Sequence, residues 1–238
     1  MPQIYPLDLL TNVVVNLRQT STAGQVITGT GFLISHNSKL YLVTAEHVAK
    51  EMKIDCEFVV KGTNDLPVLL SLEDLTQQKN SLDWKFHTIA DIAVLELSPK
   101  REVLVTKLLN RFLPSENISQ NTSVVDRNTQ LTIIGFPLGL GATGHFSPLT
   151  FRTYASSGLI TLNRFDNSIP CTFFILENPG VSGYSGGPII DVAIYINMGM
   201  EITGNATMVY GIMHGTIPDA TGGKLAAVTP SYYLFDII

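Results

Sequence analysis

The stretch Gly183-Tyr184-Ser185-Gly186-Gly187-Pro188 places one serine among small residues. Glycine lets the backbone approach a substrate closely and adopt positive φ angles at no steric cost. A serine in a glycine-rich loop is by itself typical of a turn. The interpretation of Ser185 therefore depends on whether a base and a carboxylate occur elsewhere in the chain.

Two upstream segments supply those groups. His47 lies in Thr44-Ala45-Glu46-His47-Val48, and Asp91 precedes the apolar run Ile92-Ala93-Val94-Leu95. A serine hydroxyl needs an adjacent base to become a nucleophile, and imidazole suits that role. A carboxylate then fixes the imidazole tautomer, and the backbone N–H groups of Gly183 and Ser185 would form an oxyanion hole. The sequence predicts a triad of His47, Asp91 and Ser185 in that chain order.

A second serine motif overlaps the same residues, because Gly183-Tyr184-Ser185-Gly186-Gly187 also matches the nucleophile elbow of α/β-hydrolases. In those proteins the acid and the histidine follow the serine. His214 is the only histidine after Ser185, and the chain lacks the alternation of strands and helices that a parallel sheet requires. Both observations disfavour the α/β-hydrolase interpretation.

Composition excludes several classes of protein. The 238 residues are 45% hydrophobic and 15% charged, which predicts a folded core, and the net charge of −5 disfavours a nucleic-acid binder. The segment Met1–Asp8 has no basic region and the chain has no apolar run of about 18 residues, so we expect a cytoplasmic protein without a signal peptide or membrane contact. Non-classical export stays open. Cys56 and Cys171 lack metal-ligand spacing, so we expect two reduced thiols and neither a metal nor a cofactor.

Short β-rich runs, about a dozen in number and separated by Gly, Asn, Asp, Ser and Pro, predict an all-β fold. The predicted strands cover 13–15, 31–34, 40–43, 57–60, 67–70, 92–97, 131–134, 158–162, 172–176, 188–193, 208–212 and 225–228. A polar connector at 113–130 would separate an N-terminal unit, 1–112, from a C-terminal unit, 131–238. The last residues, 231–238, would form a short docked helix.

The motifs together resemble the chymotrypsin/trypsin-like serine peptidase clan, and within it the bacterial HtrA-like (Deg) branch. The resemblance rests on Gly29-Thr30-Gly31-Phe32-Leu33-Ile34, on the His47, Asp91 and Ser185 segments, and on Ile134-Gly135-Phe136-Pro137-Leu138-Gly139. It implies two six-stranded antiparallel β-barrels with the triad between them, the first barrel carrying His47 and Asp91 and the second Ser185. It also implies a serine endopeptidase that cleaves protein or peptide substrates through an acyl-enzyme.

The chain departs from that family at several points. Tyr184 stands where secreted members carry the aspartate that receives a newly freed N-terminus, so we expect no activation of that kind. The disulfide around the catalytic histidine is missing, and Glu46 replaces the commoner alanine. We expect no PDZ domain after residue 238, which leaves a homo-oligomer or a regulatory partner chain open.

The resemblance also suggests where substrate would bind. Residues 176–182 would line the primary pocket, with Pro179 near the position where trypsin-like members carry an acid. A small or medium apolar P1 residue is therefore expected. Met213, His214, Gly215 and Thr216 resemble the edge strand that pairs with substrate backbone. His214 would either touch substrate or pack inside, and the remaining histidines, His36, His87 and His145, carry no motif.

An alternative function stays open at this point. A protein on a protease fold binds extended peptides by the same edge-strand pairing even when its turnover is slow, conditional or absent.

Overall fold

The computed structural model describes residues 1–77, 82–178, 180–197, 200–218 and 224–238. Over these residues the chain folds mainly into antiparallel sheets, which confirms the predicted all-β class. Each of the predicted strand segments overlaps a strand of the structure. The short apolar, β-branched runs were sufficient signals because half-buried strands favour those side chains.

The N-terminal sheet contains eight strands in the order β5-β4-β1-β2-β3-β7-β6, and β8 pairs in parallel with β2. These strands are β1 (Val14–Thr20), β2 (Val26–His36), β3 (Lys39–Thr44), β4 (Glu57–Lys61), β5 (Pro67–Ser71), β6 (Lys85–Phe86), β7 (Ala93–Leu97) and β8 (Leu113–Pro114). In register, Thr44 at the end of β3 lies opposite Gly31 and Ala93. The ends of β3 and β7 therefore meet at one place, where the chain segments carrying His47 and Asp91 begin.

The C-terminal sheet has seven strands in the order β10-β9-β13-β16-β17-β12-β11. These are β9 (Leu131–Gly135), β10 (Leu149–Thr153), β11 (Ile160–Asn163), β12 (Pro170–Leu176), β13 (Pro188–Asp191), β16 (Met208–Pro218) and β17 (Lys224–Pro230). An antiparallel bridge between Ala155 and Leu176 joins the chain after β10 to β12. A separate hairpin pairs β14 (Ile194–Asn197) with β15 (Met200–Thr203).

Helices are short. They are α1 (Leu7–Val13), α2 (Glu46–Glu51), α3 (Leu72–Thr76) and α4 (Arg101–Lys107), with 3₁₀ turns at Thr63–Asp65, Ser115–Asn117, Pro137–Gly139 and Ser231–Asp236. The last of these confirms the docked C-terminal helix, since Leu234 is fully buried. Among the described residues, no helix is long and apolar enough to cross a membrane.

The six strands of each barrel stay a prediction, because the two hydrogen-bonded paths contain eight and seven strands and are open at their ends. The boundaries at 112/113 and 130/131 also stay predictions. The sequence analysis did not predict β10, although Leu149-Thr150-Phe151-Arg152 alternate between apolar and polar residues. Four of its five residues are exposed, so this alternation does not mark a buried face.

The largest hydrophobic cluster extends across both sheets. It contains Phe32 and Val94 from the N-terminal sheet together with Ile134, Phe173 and Ile212 from the C-terminal sheet. The predicted connector is held in place as well: Ile118 bridges Val209, and the Ser231 hydroxyl donates to the Ser119 carbonyl at 2.7 Å. The halves are thus joined by apolar packing and by hydrogen bonds.

Both cysteines are free and buried. Burial raises the pKa of the Cys56 thiol to about 12 and that of the Cys171 thiol to about 11. Only the thiolate reacts, so both sites are doubly protected. We expect neither cysteine of the native protein to react with a disulfide reagent at pH 8, and both to react in denaturant. The variant Ser123→Cys, at an exposed position, is the reactive control; rapid modification of Cys56 or Cys171 without unfolding would contradict this expectation.

Candidate active site

The His47 side chain lies at the first turn of α2, directly after β3. Ala45 before the helix is extended, and Glu46 and Lys50 form an ion pair at 2.6 Å along one face of the helix. The His47 backbone N–H donates to Asp91 Oδ1 at 3.0 Å, and ring Nδ1 contacts Asp91 Oδ2 at 2.7 Å. Because an ionised carboxylate only accepts, Nδ1 carries the proton and Nε2 is left as the basic nitrogen.

Asp91 lies in the turn that leads into β7. His87 holds this turn, since its Nδ1 accepts the Ala90 N–H at 2.8 Å while its Nε2 contacts Asp236 Oδ2 at 3.0 Å. His87, which no motif singled out, is buried. The C-terminal 3₁₀ helix therefore buttresses the turn that presents the carboxylate.

A second histidine shares the carboxylate. His214 on β16 is fully buried, and its Nδ1 contacts Asp91 Oδ2 at 2.5 Å. Its ring stacks on Phe173, with centroids 4.8 Å apart, and lies 4.4 Å from the ring of Phe165. Of the two roles expected for His214, the structure shows the packed side chain and not contact of the ring with substrate, because the strand directs it into the core.

A buried arginine, which the sequence analysis missed, completes the cluster. Arg164 follows β11 and is 1% exposed. Its Nη1 donates to Glu46 Oε2 at 2.7 Å, and its Nη2 donates to Asp91 Oδ1 at 3.1 Å and to Asp166 Oδ2 at 2.6 Å. Nothing in the sequence marks Arg164, because an Arg-Phe-Asp segment between two strand runs looks like an exposed turn. Glu46, which replaces the alanine commoner in the family, is an ion-pair partner of this arginine.

The environment keeps Asp91 ionised. Burial would raise the pKa of the carboxyl group, but hydrogen bonds from His214 and His47 lower it by more, to far below its ordinary range. For Arg164, burial would lower the pKa, yet hydrogen bonding to Asp166 and Glu46 and the charges of Asp91 and Asp166 raise it above its ordinary value. The cluster therefore holds a buried cation beside a buried anion.

The loop around Ser185 depends on glycine. Gly183 and Gly186 have φ of 100° and 84°, in the region that favours glycine. A Cβ on Gly186 would lie 2.1 Å from Thr44 Oγ1 and 2.2 Å from the Thr30 carbonyl. The close contact between this loop and the N-terminal sheet thus excludes any side chain.

Thr30 on β2 fastens the serine loop to the N-terminal sheet. Its hydroxyl donates to the Gly183 carbonyl at 2.6 Å and accepts the Phe136 N–H at 3.0 Å, and its own N–H donates to the Ser185 carbonyl at 2.9 Å. The Ser182 carbonyl accepts the Leu138 N–H at 2.8 Å. Because the peptide is trans, the Gly183 N–H points away from Leu138.

Neither the Gly183 N–H nor the Ser185 N–H donates to another group in the part of the chain that the structure describes. The hydroxyl of Ser185 donates to the His214 carbonyl at 3.2 Å, and within the described residues it makes no hydrogen bond to His47. Ser185 and His47 nevertheless line the same cavity, of about 570 Å³. The structure thus brings His47 and Ser185 to one cleft, with Asp91 buried behind His47 and the serine turned toward β16.

The predicted substrate-binding residues divide into three groups. Gly215 and Thr216 line the cavity, as do residues 180–182. Met213 does not, and its backbone is engaged by Gly186 and Gly187 at 2.8 Å each, so the expectation that it contacts substrate is wrong. Pro179 lies outside the described residues. Tyr184 is buried in the C-terminal core rather than free to pair with an N-terminus.

One group among the described residues offers three metal-ligand atoms within 4.8 Å of one another: His47, Asp91 and His214. Both Nδ1 atoms already share Asp91 Oδ2 as their hydrogen-bond acceptor. A cation there would have to displace both protons, so the arrangement suits a held carboxylate better than a metal site.

The model of the trypsin-like peptidase domain matches residues 29–194, more than half of the chain. The chain belongs to this family. The matched range contains His47, Asp91 and Ser185, and the family assignment confirms the predicted trypsin-like serine peptidase. No curated protein sequence matches the chain.

Solved structures show the same fold at low sequence identity. The HtrA-type protease AlgW, solved with a tripeptide, is 17% identical to this chain with a TM-score of 0.59. The alignment covers 97% of this chain and 60% of the AlgW chain. The Rv3671c protease from M. tuberculosis, in its active form, is 15% identical with a TM-score of 0.58 and coverages of 99% and 86%. The serine endoprotease from Yersinia pestis is 17% identical with a TM-score of 0.56 and coverages of 98% and 65%. This trypsin-like peptidase domain spans less than two thirds of the AlgW and Yersinia pestis chains. The structural matches support a chymotrypsin-like fold of the kind seen in HtrA-type proteases.

The link between Thr30 and the serine loop predicts a cost for its removal. Thr30→Val would leave the buried Gly183 carbonyl and Phe136 N–H without partners, so we expect the free energy of unfolding to fall by about 2–4 kcal/mol. Urea denaturation measures this value. Thr150→Val, at an exposed position of β10, is the matched control and should change it by less than about 0.5 kcal/mol. If the two variants have the same free energy of unfolding, the Thr30 hydrogen bonds do not contribute to stability.

Proposed function

We propose that this peptidase domain is a serine endopeptidase that hydrolyses peptide bonds through an acyl-enzyme, with Ser185 as nucleophile, His47 as base and Asp91 as orienting group. The observation that carries the proposal is the pair of hydrogen bonds from His47 to Asp91, which hold the imidazole with Nε2 free in the cleft that also contains Ser185. A Ser185 hydroxyl bonded to a carbonyl is a resting arrangement, since catalytic hydrogen bonds often tighten only when substrate binds.

The proposed reaction begins when the Ser185 hydroxyl rotates from the His214 carbonyl toward His47. Oγ attacks the scissile carbonyl carbon while Nε2 takes its proton, and Asp91 stabilises the imidazolium that results. The tetrahedral intermediate then collapses: the C–N bond breaks and His47 returns the proton to the leaving amine. Water, deprotonated by the same nitrogen, hydrolyses the ester and regenerates Ser185.

The oxyanion would be bound by the N–H groups of Gly183 and Ser185. Support comes from the bond between Leu138 and the Ser182 carbonyl, which orients the following peptide, and from the lack of another acceptor for either N–H among the described residues. The Thr30 contacts hold the loop in this shape before substrate arrives. Such preorganised donors stabilise a transition state by about 3 kcal/mol each.

The edge of β16 would bind the substrate backbone. β13 pairs with β16 only as far as Ile212, so Gly215 and Thr216 have β17 on one side and the cavity on the other. An extended peptide would add there as a further antiparallel strand.

A small or medium apolar P1 residue fits the wall beside Ser185. Gly180, Val181, Ser182 and Thr216 form this part of the cavity and carry no charge, while the charged lining residues are Glu51 and Lys224. Gly180 packs directly against Thr216, since a Cβ on Gly180 would lie only 2.9 Å from Thr216 Oγ1. The cytoplasmic location expected from the N-terminal sequence stays a prediction.

Labelling with a fluorophosphonate tests the nucleophile. We expect the reagent to modify Ser185, and Ser185→Ala to lose both labelling and roughly 10⁴–10⁶-fold in kcat on a peptide substrate. Ser123→Ala, at an exposed position outside the cavity, is the matched control and should keep both. Peptide binding by a wild type that neither labels nor cleaves would replace this proposal with the peptide-binding alternative.

Profiling of cleaved peptides from an unbiased library tests the pocket. We expect Ala, Val and Leu at P1 to be favoured over Lys, Arg, Asp and Glu by at least about tenfold in kcat/KM. Gly180→Ala should narrow the pocket further and shift the preference toward Ala, with Ser185→Ala as the blank for contaminating activity. A preference for basic or large aromatic P1 residues would refute the assignment of this wall.

A further inference from the structure

We propose that Arg164 is a positioning residue for the proposed reaction: it holds Asp91 Oδ1, keeps the carboxylate aligned with the His47 ring, and ties the turn after β11 to the triad. The inference rests on the proposed function. It concerns a residue that acts through Asp91 and has no contact with the scissile bond.

Four hydrogen-bond donors coordinate the Asp91 carboxylate. Asp91 Oδ2 is shared by His47 Nδ1 and His214 Nδ1, while Oδ1 accepts the His47 backbone N–H and Arg164 Nη2. Two donors on each oxygen occupy the available lone-pair directions. Without the arginine, Oδ1 would keep a single donor at 3.0 Å, and rotation of the carboxylate would be restrained less.

Arg164 is itself held in place by several hydrogen bonds. Asp166 binds it twice, at Nε with 2.9 Å and at Nη2 with 2.6 Å, while Nη1 reaches Glu46 at 2.7 Å and the Ile89 carbonyl at 3.2 Å. A planar guanidinium with several fixed donors provides a rigid reference that an ammonium group cannot. Ile89 and Asp91 belong to the same turn, so Arg164 sets both the backbone and the side chain of that segment.

The turn after β11 places Arg164 and Phe165 on different sides of the chain. Arg164 directs its side chain inward, and the next residue, Phe165, packs its ring 5.0 Å from the His47 ring and lines the cavity. Gly215 leaves room for this ring, because a Cβ there would lie 3.0 Å from Phe165 Cε1. The anchored arginine therefore also fixes one wall of the cleft beside the base.

Charge gives the arginine a second effect that can be separated from its geometry. The titratable and charged groups around His47 are Glu46, Lys50 and Glu51 of α2, Asp91, Arg164, Asp166, His214 and Lys224. Arg164 is the buried cation among them, and it opposes the imidazolium. Replacing it with a neutral residue would remove the buried cation beside Asp91 and Asp166 and leave Glu46 paired with Lys50 alone. The added negative potential would favour protonated His47, so the acid limb of kcat/KM should move to higher pH.

Two variants separate position from charge. Arg164→Lys keeps the positive charge but loses the planar guanidinium with its several fixed donors. We therefore expect kcat to fall about 10–100-fold, with KM and the acid limb of kcat/KM little changed. Arg164→Met loses both, so we expect at least the same fall in kcat and an upward shift of the acid limb by about one pH unit. The double variant Arg164→Met/Glu46→Gln should recover part of the pH shift and none of the kcat. Arg152→Met, at an exposed arginine in β10, is the control.

The experiment measures kcat and KM against pH, with circular dichroism to verify folding and NMR of the His47 ring protons to follow its titration directly. Wild-type kcat in Arg164→Lys, or an unmoved acid limb in folded Arg164→Met, would overturn the proposal. If Arg164→Met fails to fold, the kcat and KM of Arg164→Lys decide. A wild-type protein that is not labelled by the fluorophosphonate and does not cleave peptides would contradict the proposed function but not the role of Arg164. The NMR titration would then decide on Arg164: a shift of the His47 midpoint in Arg164→Met supports the proposal, and an unmoved midpoint overturns it.

Discussion

The buried carboxylate of Asp91 is the constraint on which the site depends. An ionised group without solvent is costly unless donors replace its hydration, and removing one partner of such a group leaves the cost uncompensated. Here the donors come from α2, from β16 and from the turn after β11, so three separate segments must converge for the charge to be tolerated. The requirement joins the two sheets at the cleft. It also explains why a second histidine and an arginine, neither part of a triad, are buried beside it.

The serine loop meets a different constraint, which is steric. Gly186 packs against the backbone of β2 and the Thr44 side chain with no space for a Cβ, and Gly183 lies as close to Phe136 and Leu138. The Gly186 contacts place the loop against the N-terminal sheet and close to the residues that follow β3, and the Gly183 contacts place it against the segment after β9. The carboxylate network holds His47 and the glycine contacts hold Ser185, and the hydrophobic cluster contains side chains from both sheets. In the proposed mechanism the only large movement left is rotation of one hydroxyl.

Much of this could be predicted from local patterns. Strands such as β3 and β12 show the short apolar runs that a half-buried sheet requires, and the segments around His47, Asp91 and Ser185 carry the residues that nucleophilic catalysis needs. Prediction failed where the residue type contradicted its place. Arg164 is a charged residue in a turn and is nevertheless buried, and Met213, which was assigned to the substrate edge, is fully buried as well. Strand β10 was not predicted either, although its residues alternate between apolar and polar, and four of its five residues are exposed.

The amino-acid sequence alone determined the class of fold, the three candidate side chains and the glycines around the serine, because strand patterning and turn chemistry are properties of neighbouring residues. Tertiary structure decided the rest: which carboxylates face the arginine, which histidine pairs with Asp91 besides His47, and which face of β16 lines the cleft. The contacts of Arg164 with Asp91 and Glu46, and that of His214 with Asp91, join residues more than 70 positions apart. Their geometry depends on how two twisted sheets pack, and no local pattern in the chain encodes that packing.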